Sequence, residues 1–389
     1  MSEWAVVQVN RKGADRIRSG HLWIFRSDVT DVGTAHGGDA VLVQDPKAKN
    51  LGIAHYSSTS QIALRFLSRA AETIDERFLT RRIEAAYAHR QRVVTGSNAY
   101  RLVYAEGDLL PGLIVDRYND CLSVQFLNQG MDRITNQIVA ALEGVLRPRG
   151  IVARNDMPVR AKENLKEEVR VLTGDVPDRV QIEMNGLNMT ADLMKGQKTG
   201  VFLDQRENYL AARKYGRGKV LDCFTSSGGF ALHLAGVSES VEGIDSSTVA
   251  LDMAKGNAAA NGVTNVNFIQ GDVLHVLPQL VSAKRNFDLV VVDPPAFTKS
   301  RSALEGAARG YKEINLRALR LLGRGGVLVT CSCSQHMSEA ELLEIVASAA
   351  LDAGKQLRVL ERRTQSKDHP ILLTVPETHY LKCLILEVI

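Results

Sequence analysis

The chain opens with short β-branched runs that partly alternate with polar residues: VVQVN, DAVLVQD, LGIAHY and QIALRFL, separated by glycine-rich turns such as AHGGD. Runs of this length and texture predict strands, so residues 1–72 read as a small β-rich domain. The spacing then changes. IDERFLTRRIEAAYAHRQRVV sets Ile83, Ala86 and Tyr87 on one side of a helix, with arginines around them. RLVYAEGD, GLIVDRY and CLSVQFLN are extended, ITNQIVAALEGVL is helical and GIVAR extended, which makes residues 73–180 a central α+β domain. VQIEMNGLNMTADL then places Asn185-Gly186 between two alternating runs. That is a hairpin signal, because both residues tolerate the positive φ of a type I′ turn.

From Lys219 the pattern becomes regular. KVLDCF, SVEGID, VNFIQGD, FDLVVVD, GGVLVTC and QLRVLERR alternate with helical stretches such as SSTVALDMAKGNAAANG and ARGYKEINLRALRLLG, and HYLKCLILEV closes the chain. Near-continuous apolar strands alternating with helices predict a parallel, doubly wound α/β sheet covered on both faces, occupying residues 181–389. No internal repeat or low-complexity tract interrupts this plan.

Composition narrows the class. With 389 residues, 45% hydrophobic and 24% charged, the chain has the make-up of a globular protein of more than one domain. No apolar run is long enough to span a bilayer, and MSEWAVVQVNRKG lacks the apolar core of a signal peptide. The five cysteines are odd in number and mostly scattered, which fits a reducing cytoplasm better than a disulfide framework. A net charge of +4 permits a nucleic-acid partner without requiring one. Nothing in the pattern fixes an oligomeric state, and a homodimer is compatible with it.

In doubly wound sheets, ligands sit beyond the carboxyl ends of the strands. The first strand gives VLDCFTSSGGFALHLA, with Asp222 at its end, then Gly228-Gly229 and a helix whose N-terminus offers free N–H groups. The second strand ends in Asp245, placed to accept hydrogen bonds from a ribose. The third ends in Gly271-Asp272-Val273, suited to the edge of an adenine, and the fourth in Asp293-Pro294-Pro295. Small residues and acids end strands in many such folds, and the glycine pair alone is weak. A nicotinamide dinucleotide fold usually wants G-x-G-x-x-G, which is missing here. Four successive strands ending in Asp222, Asp245, Asp272 and Asp293 point to S-adenosyl-L-methionine.

Two stretches can carry chemistry, DPPAF (293–297) and TCSCS (330–334), at the ends of neighbouring strands. Paired prolines stiffen the backbone, so Asp293 and the carbonyls can grip a flat base. DPPAF resembles the motif of amino-methylating enzymes, which need no cysteine. TCSCS shifts the balance, because methylating carbon 5 of a pyrimidine requires a nucleophile at carbon 6, and a thiolate is the natural choice. Cysteine is also a common buried small residue, whereas a metal site would need further ligands that C-x-C lacks nearby. Alternation puts Cys331 and Cys333 on the same side. The later one lies nearer the carboxyl end, where ligands bind, which favours Cys333.

At the other end of the chain, RKGADRIRSGHLWIFRSD interleaves Arg11, Lys12, Arg16, Arg18 and Arg26 with His21, Trp23 and Phe25. The aromatics, at spacing two, read as the core face of a strand. The basic residues then remain as a surface for RNA phosphates.

KGQKTGVFLDQREN (195–208), CFTSSGGF (223–230), DPPAF, RGYKEIN (309–315) and TCSCS, in this order and spacing, resemble the RlmI family of 23S ribosomal RNA (cytosine-5) methyltransferases nearly end to end. The resemblance implies a PUA-like RNA-binding domain, a central domain and a Rossmann-like catalytic domain. It also implies Cys333 as nucleophile, Asp293 as the acid that holds the target base, and Pro294, Pro295 and Phe297 beside that base. Around the cofactor it implies Phe202, Asp204, Arg206, Asp222, Phe224, Ser226, Gly228, Asp245, Ser246, Asp272 and Val273. Thr225-Ser226-Ser227 stand where relatives often carry bulkier residues. DHP (368–370) and PETHYLK (376–382) also match family stretches, so His369, Glu377 or a water is the candidate final proton acceptor; both stretches equally suit a shaping role at the C-terminal hairpin. The rival readings are a guanine-N7 or exocyclic-amino methyltransferase of the same fold, and a non-catalytic ribosome-assembly factor.

Overall fold

The alternating runs become strands where the pattern places them. The structure is a computed structural model that describes residues 4–196, 200–297 and 304–389. The middle of KGQKTGVFLDQREN, residues 197–199, lies outside the described residues, as do residues 1–3. The chain divides into two compact units. One comprises Met1–Glu183, Ala191–Val201 and Lys367–Thr378, the other Met184–Thr190, Phe202–Ser366 and His379–Ile389.

The first unit holds two sheets. Trp23–Phe25, Ile62–Ser68, Asn50–Tyr56, Ala40–Gln44, Val6–Val9 and Val29–Asp31 lie side by side in that order, over a core of Val7, Val9, Ile17, Ile24, Val41, Leu64 and Phe66. A five-stranded sheet follows in simple succession, from Ala99–Tyr104 to Val169–Gly174, packed with the helices Glu76–Val93 and Thr135–Leu146. Residue 72 falls inside this unit. Glu163, fully buried in the later part, forms an ion pair with the Arg65 guanidinium at 2.9 Å and accepts from the Ser57 hydroxyl at 2.6 Å, and such a charge is stable in the interior only with partners of this kind. Asp368 returns from far along the chain to accept the Arg101 N–H at 2.9 Å, while its carbonyl accepts from Arg90 at 2.7 Å.

Asn185 and Gly186 both adopt positive φ, at 56° and 81°, between the strands Val180–Met184 and Leu187–Ala191, as the hairpin signal requires.

The second unit is built on a seven-stranded sheet, whose strands we number β1 (Lys219–Cys223), β2 (Ser240–Asp245), β3 (Val266–Gln270), β4 (Phe287–Val292), β5 (Leu322–Ser332), β6 (Leu357–Thr364) and β7 (Lys382–Val388). Their order is β3-β2-β1-β4-β5-β7-β6. One expectation is corrected here: the sheet is not wholly parallel, because β7 runs antiparallel to both β5 and β6. An apolar run carries no mark of direction, and an antiparallel neighbour needs no crossover helix. The helices are α1 (Gly229–Ala235), α2 (Thr248–Ala260), α3 (Val273–Ser282), α4 (Leu304–Arg320) and α5 (Glu339–Asp352). Leu221, Ile244, Val290, Leu328 and Leu386 pack with Tyr311, Ile314, Leu342 and Val346 into its core. Among the described residues, no helix is long and apolar enough to cross a membrane.

Candidate active site

The order reversal falls between β1 and β4, so the loops after these strands and their neighbours form one cluster. The loop after β1 is unusually bent. Phe224, Ser226 and Gly228 all have positive φ, of 64°, 51° and 88°, a conformation that side chains disfavour. Asp222, buried beneath the loop, holds it in place. Its carboxylate accepts from the Thr225 hydroxyl at 2.6 Å and from the Ala231 N–H at 2.9 Å. Burial raises the Asp222 pKa to about 7 against the pull of those two donors, with Asp293 and Asp245 adding repulsion. One helix N–H that the sequence reserves for a ligand is thus taken by Asp222. Gly229 also has a different reason from the one the sequence suggests: a Cβ there would lie 2.5 Å from the Tyr209 ring. Its smallness admits a side chain of the protein itself.

Asp245, half-buried at the end of β2, accepts the Ser226 and Ser247 N–H groups at 2.9 Å each, which ties this acid to the bent loop. Ser246 beside it is exposed. Asp272 caps α3, accepting the Leu274 N–H at 2.9 Å, and its side chain is half in solvent. Val273, the next residue, is buried. The strip Phe202–Arg206 is anchored at Asp204, whose carboxylate accepts from the Tyr380 hydroxyl at 2.6 Å and whose carbonyl accepts from Ser366. Arg206 is itself buried.

The reactive end lies across β4 and β5, where Val292 is in register with Thr330. Asp293 follows β4 and accepts from the Gln205 side-chain amide at 3.0 Å. Gln205 is held in turn by Asn208 at 2.7 Å, and Asn208 by the Arg363 guanidinium at 2.9 Å. This buried relay fixes the carboxylate's orientation. Pro294 is buried and Pro295 exposed, while Phe297 rests on Tyr311 with ring centroids 4.8 Å apart.

The two cysteines of TCSCS have different surroundings. Cys331 is fully buried, opposite Cys383 in the ladder, and burial, then the Cys383 thiol, push its pKa well up. Cys333, past the end of β5, is partly exposed. Its neighbours are locked. The Ser332 hydroxyl donates to the Tyr311 hydroxyl at 2.9 Å, and the Ser334 hydroxyl is 3.2 Å from the same oxygen. Tyr311 belongs to RGYKEIN, so that motif acts from within the core on the segment that carries the cysteine.

In the first unit the basic segment forms the helix Arg11–Arg18, capped by Asn10. Arg11 and Lys12 are largely exposed, at 91% and 71%, and lie beside Asp15 and Asp28. Arg16 stacks over Phe25 at 4.5 Å and Arg18 pairs with Asp45, so both have structural partners. Arg26 donates to the Ser57 and Ser60 carbonyls. The expected core face is also corrected. Ile24 is the buried residue of the strand Trp23–Phe25, and the flanking aromatics are half-buried, with the Trp23 indole N–H donating to Glu106 at 2.9 Å. His369 is buried against Asp368 and the Tyr104 ring, and Glu377 bonds His21 at 3.2 Å.

A methyltransferase-domain family matches residues 216–372, and a PUA-like domain family matches residues 7–69. The ribosomal RNA large subunit methyltransferase I of Tolumonas auensis is 41% identical over 379 residues, spanning 95% of this chain and 96% of that protein. This chain belongs to the ribosomal RNA large subunit methyltransferase I family. The Aeromonas hydrophila member is 42% identical over 375 residues, spanning 94% of each chain. The crystal structure of SMU.776 complexed with SAH shares the fold, with a TM-score of 0.86 over 99% of this chain and all of that one, at 18% identity.

In this member of the family, the residue pattern leaves Gln205, Asn208, Tyr311 and Lys382 without a role. Each lies inside a stretch that the motifs cover, but only the folded contacts show what its side chain does. Their burial, which residue order alone does not show, is what obliges these polar groups to find partners.

Proposed function

We propose that this protein transfers a methyl group from S-adenosylmethionine to carbon 5 of a cytosine in 23S ribosomal RNA, with Cys333 as the nucleophile. Membership of the family supports ribosomal RNA as substrate, and the PUA-like match over residues 7–69 supports an RNA-binding role for the N-terminal part. The observation that carries the cytosine-5 reading is the contrast at the end of β5: Cys331 is sealed in the core, while Cys333 reaches the surface on a segment braced by Tyr311.

The residues after β1 and β2 fit the cofactor. The Asp245 carboxylate offers about four lone-pair positions, of which two are taken by backbone N–H groups, leaving acceptors for a ribose diol. Phe224, Ser226 and Gly228 in the loop after β1, Ser246 after β2, Asp272 and Val273 after β3, Asp222 beneath the loop, and Phe202, Asp204 and Arg206 complete the proposed set. S-adenosylmethionine supplies an electrophilic methyl group when bound.

The chain's own residues do the rest. The Cys333 sulfur forms a bond to carbon 6, and the electrons of the 5,6 double bond move to carbon 5, which becomes nucleophilic. Asp293, held by Gln205, grips the polar edge of the base, and Pro294, Pro295 and Phe297 shape the pocket wall. After carbon 5 is alkylated, its proton passes to a base or to water. The electron pair re-forms the double bond and expels the Cys333 thiolate.

RNA carrying 5-fluorocytosine at the target tests the mechanism, since fluorine cannot leave as a proton does. A stable protein–RNA adduct should form with the wild type and with Cys331→Ala, and vanish with Cys333→Ala. An adduct that depends on Cys331, or methylated product from Cys333→Ala, overturns the assignment.

A further inference from the structure

Lys382 is the first residue of β7 and is only 3% exposed. It stands opposite Ser332 in the β5–β7 ladder, and its ammonium donates to the Ser334 and Tyr380 carbonyls at 2.7 Å each. Ser332 and Ser334 flank Cys333, so Lys382 straddles the cysteine through both its neighbours. Among the described residues no carboxylate pairs with this ammonium. Glu341 of α5 is engaged in a capping box with Ser338, and Glu339 pairs with Arg362.

A lysine is an expensive residue for this place. Two carbonyls can be satisfied by a neutral donor, whereas a buried ammonium loses its hydration. That loss pulls the Lys382 pKa down to about 8, and the strongest opposing influence is Cys333, ahead of Glu341 and Glu339. Asp293, after β4, and the Tyr311 hydroxyl, on α4, also face this region. The Tyr311 phenol is pushed up by burial and stays neutral, so it adds no charge. At neutral pH Lys382 therefore remains mostly protonated and presents a positive charge to the segment that carries the Cys333 sulfur. A cation beside a thiol favours the thiolate, the form that attacks carbon.

We propose that Lys382 activates Cys333: anchored on the Ser334 and Tyr380 carbonyls, its buried ammonium holds the Cys333 sulfur as a thiolate. The inference rests on the reading of Cys333 as nucleophile. Lys382 acts through Cys333 and is a positioning residue. The thiol proton leaves to solvent, and the ammonium–thiolate pair stands ready before RNA arrives.

The test is the pH dependence of alkylation by iodoacetamide in the full-length protein, with modification at each cysteine read by peptide mass spectrometry. In the wild type, Cys333 should reach half its maximal rate below pH ~8.5, the ordinary cysteine value. Lys382→Met keeps the length and loses the charge. It should raise that midpoint by about one pH unit or more, slowing alkylation at pH 7 about tenfold. Lys382→Arg should stay near the wild type. Buried Cys331 serves as the fold control, since its alkylation marks an unfolded variant. A wild-type midpoint at or above ~8.5, or an unchanged midpoint in folded Lys382→Met, overturns the proposal. If Lys382→Met does not fold, the wild-type midpoint decides. A shifted midpoint without a 5-fluorocytosine adduct supports the activation and sinks the nucleophile reading. An adduct with an unshifted midpoint does the reverse.

Discussion

Replacing Gln205 by glutamate changes one group and turns a hydrogen bond into a repulsion. In the wild type the Gln205 amide nitrogen lies 3.0 Å from an Asp293 oxygen, and its carbonyl accepts from Asn208. Glutamate keeps the second contact and sets a carboxylate oxygen in place of the donor. Two unit charges at that separation repel by about 5 kcal/mol at an effective dielectric constant of about 20. The pair avoids this by sharing a proton, and holding a proton on a group of ordinary pKa ~4 costs about 1.4 kcal/mol per pH unit above that value. With allowance for the solvent that reaches half-buried Asp293, Gln205→Glu should destabilise the fold by about 3 kcal/mol at pH 8 and by only about 1 kcal/mol at pH 5. The sign follows from the raised folded-state pKa: the contribution is present at low pH and lost as pH rises through that value. Urea unfolding of the wild type, Gln205→Glu and Gln205→Met at both pH values measures it. A loss that is the same at pH 5 and pH 8 would refute the direct Gln205–Asp293 contact and with it the relay that orients the acid.

The other expectations use different contacts. Asp222, raised to about 7 by burial, stabilises the fold at low pH and loses that contribution as pH rises through 7. Asp222→Asn should therefore gain on the wild type by roughly 1.4 kcal/mol per pH unit between about pH 4 and 7, then level off; a pH-independent difference in denaturation would contradict this. Asp245→Ala should weaken S-adenosylmethionine binding by about 1–3 kcal/mol in calorimetry, and unchanged affinity would remove it from the site. Reversing Arg11 and Lys12, the most exposed cations of their helix, to glutamate should weaken RNA binding and flatten its salt dependence by about 0.7–0.9 per lost phosphate contact, whereas an unaltered slope would leave them as a solvated face.

Much of the architecture could be read from periodicity alone. The central runs KVLDCF, FDLVVVD and GGVLVTC became strands because β-branched residues buried on both faces leave a continuous apolar signature, and Asn185-Gly186 became a turn because few other pairs accept two positive φ values. The positions of TCSCS and of the acids near the ends of β1, β2 and β4 were legible for a similar reason: residue type and place along a strand are local properties. The direction of β7 was not local. An apolar strand pairs either way, and its placement between β5 and β6 depends on the contacts available once both exist.

The side-chain roles were decided by tertiary structure in the same sense. Alternation makes Cys331 and Cys333 equivalent, and they differ because Cys383 of β7 covers the first while β5 ends before the second. Gly229 reads as room for a ligand until the Tyr209 ring is found against it. Lys382 in the sequence is an ordinary basic residue near the end of the chain. Only the ladder that sets it opposite Ser332 buries it against the segment that carries Cys333, because desolvation and the field of a neighbouring charge depend on distance in space.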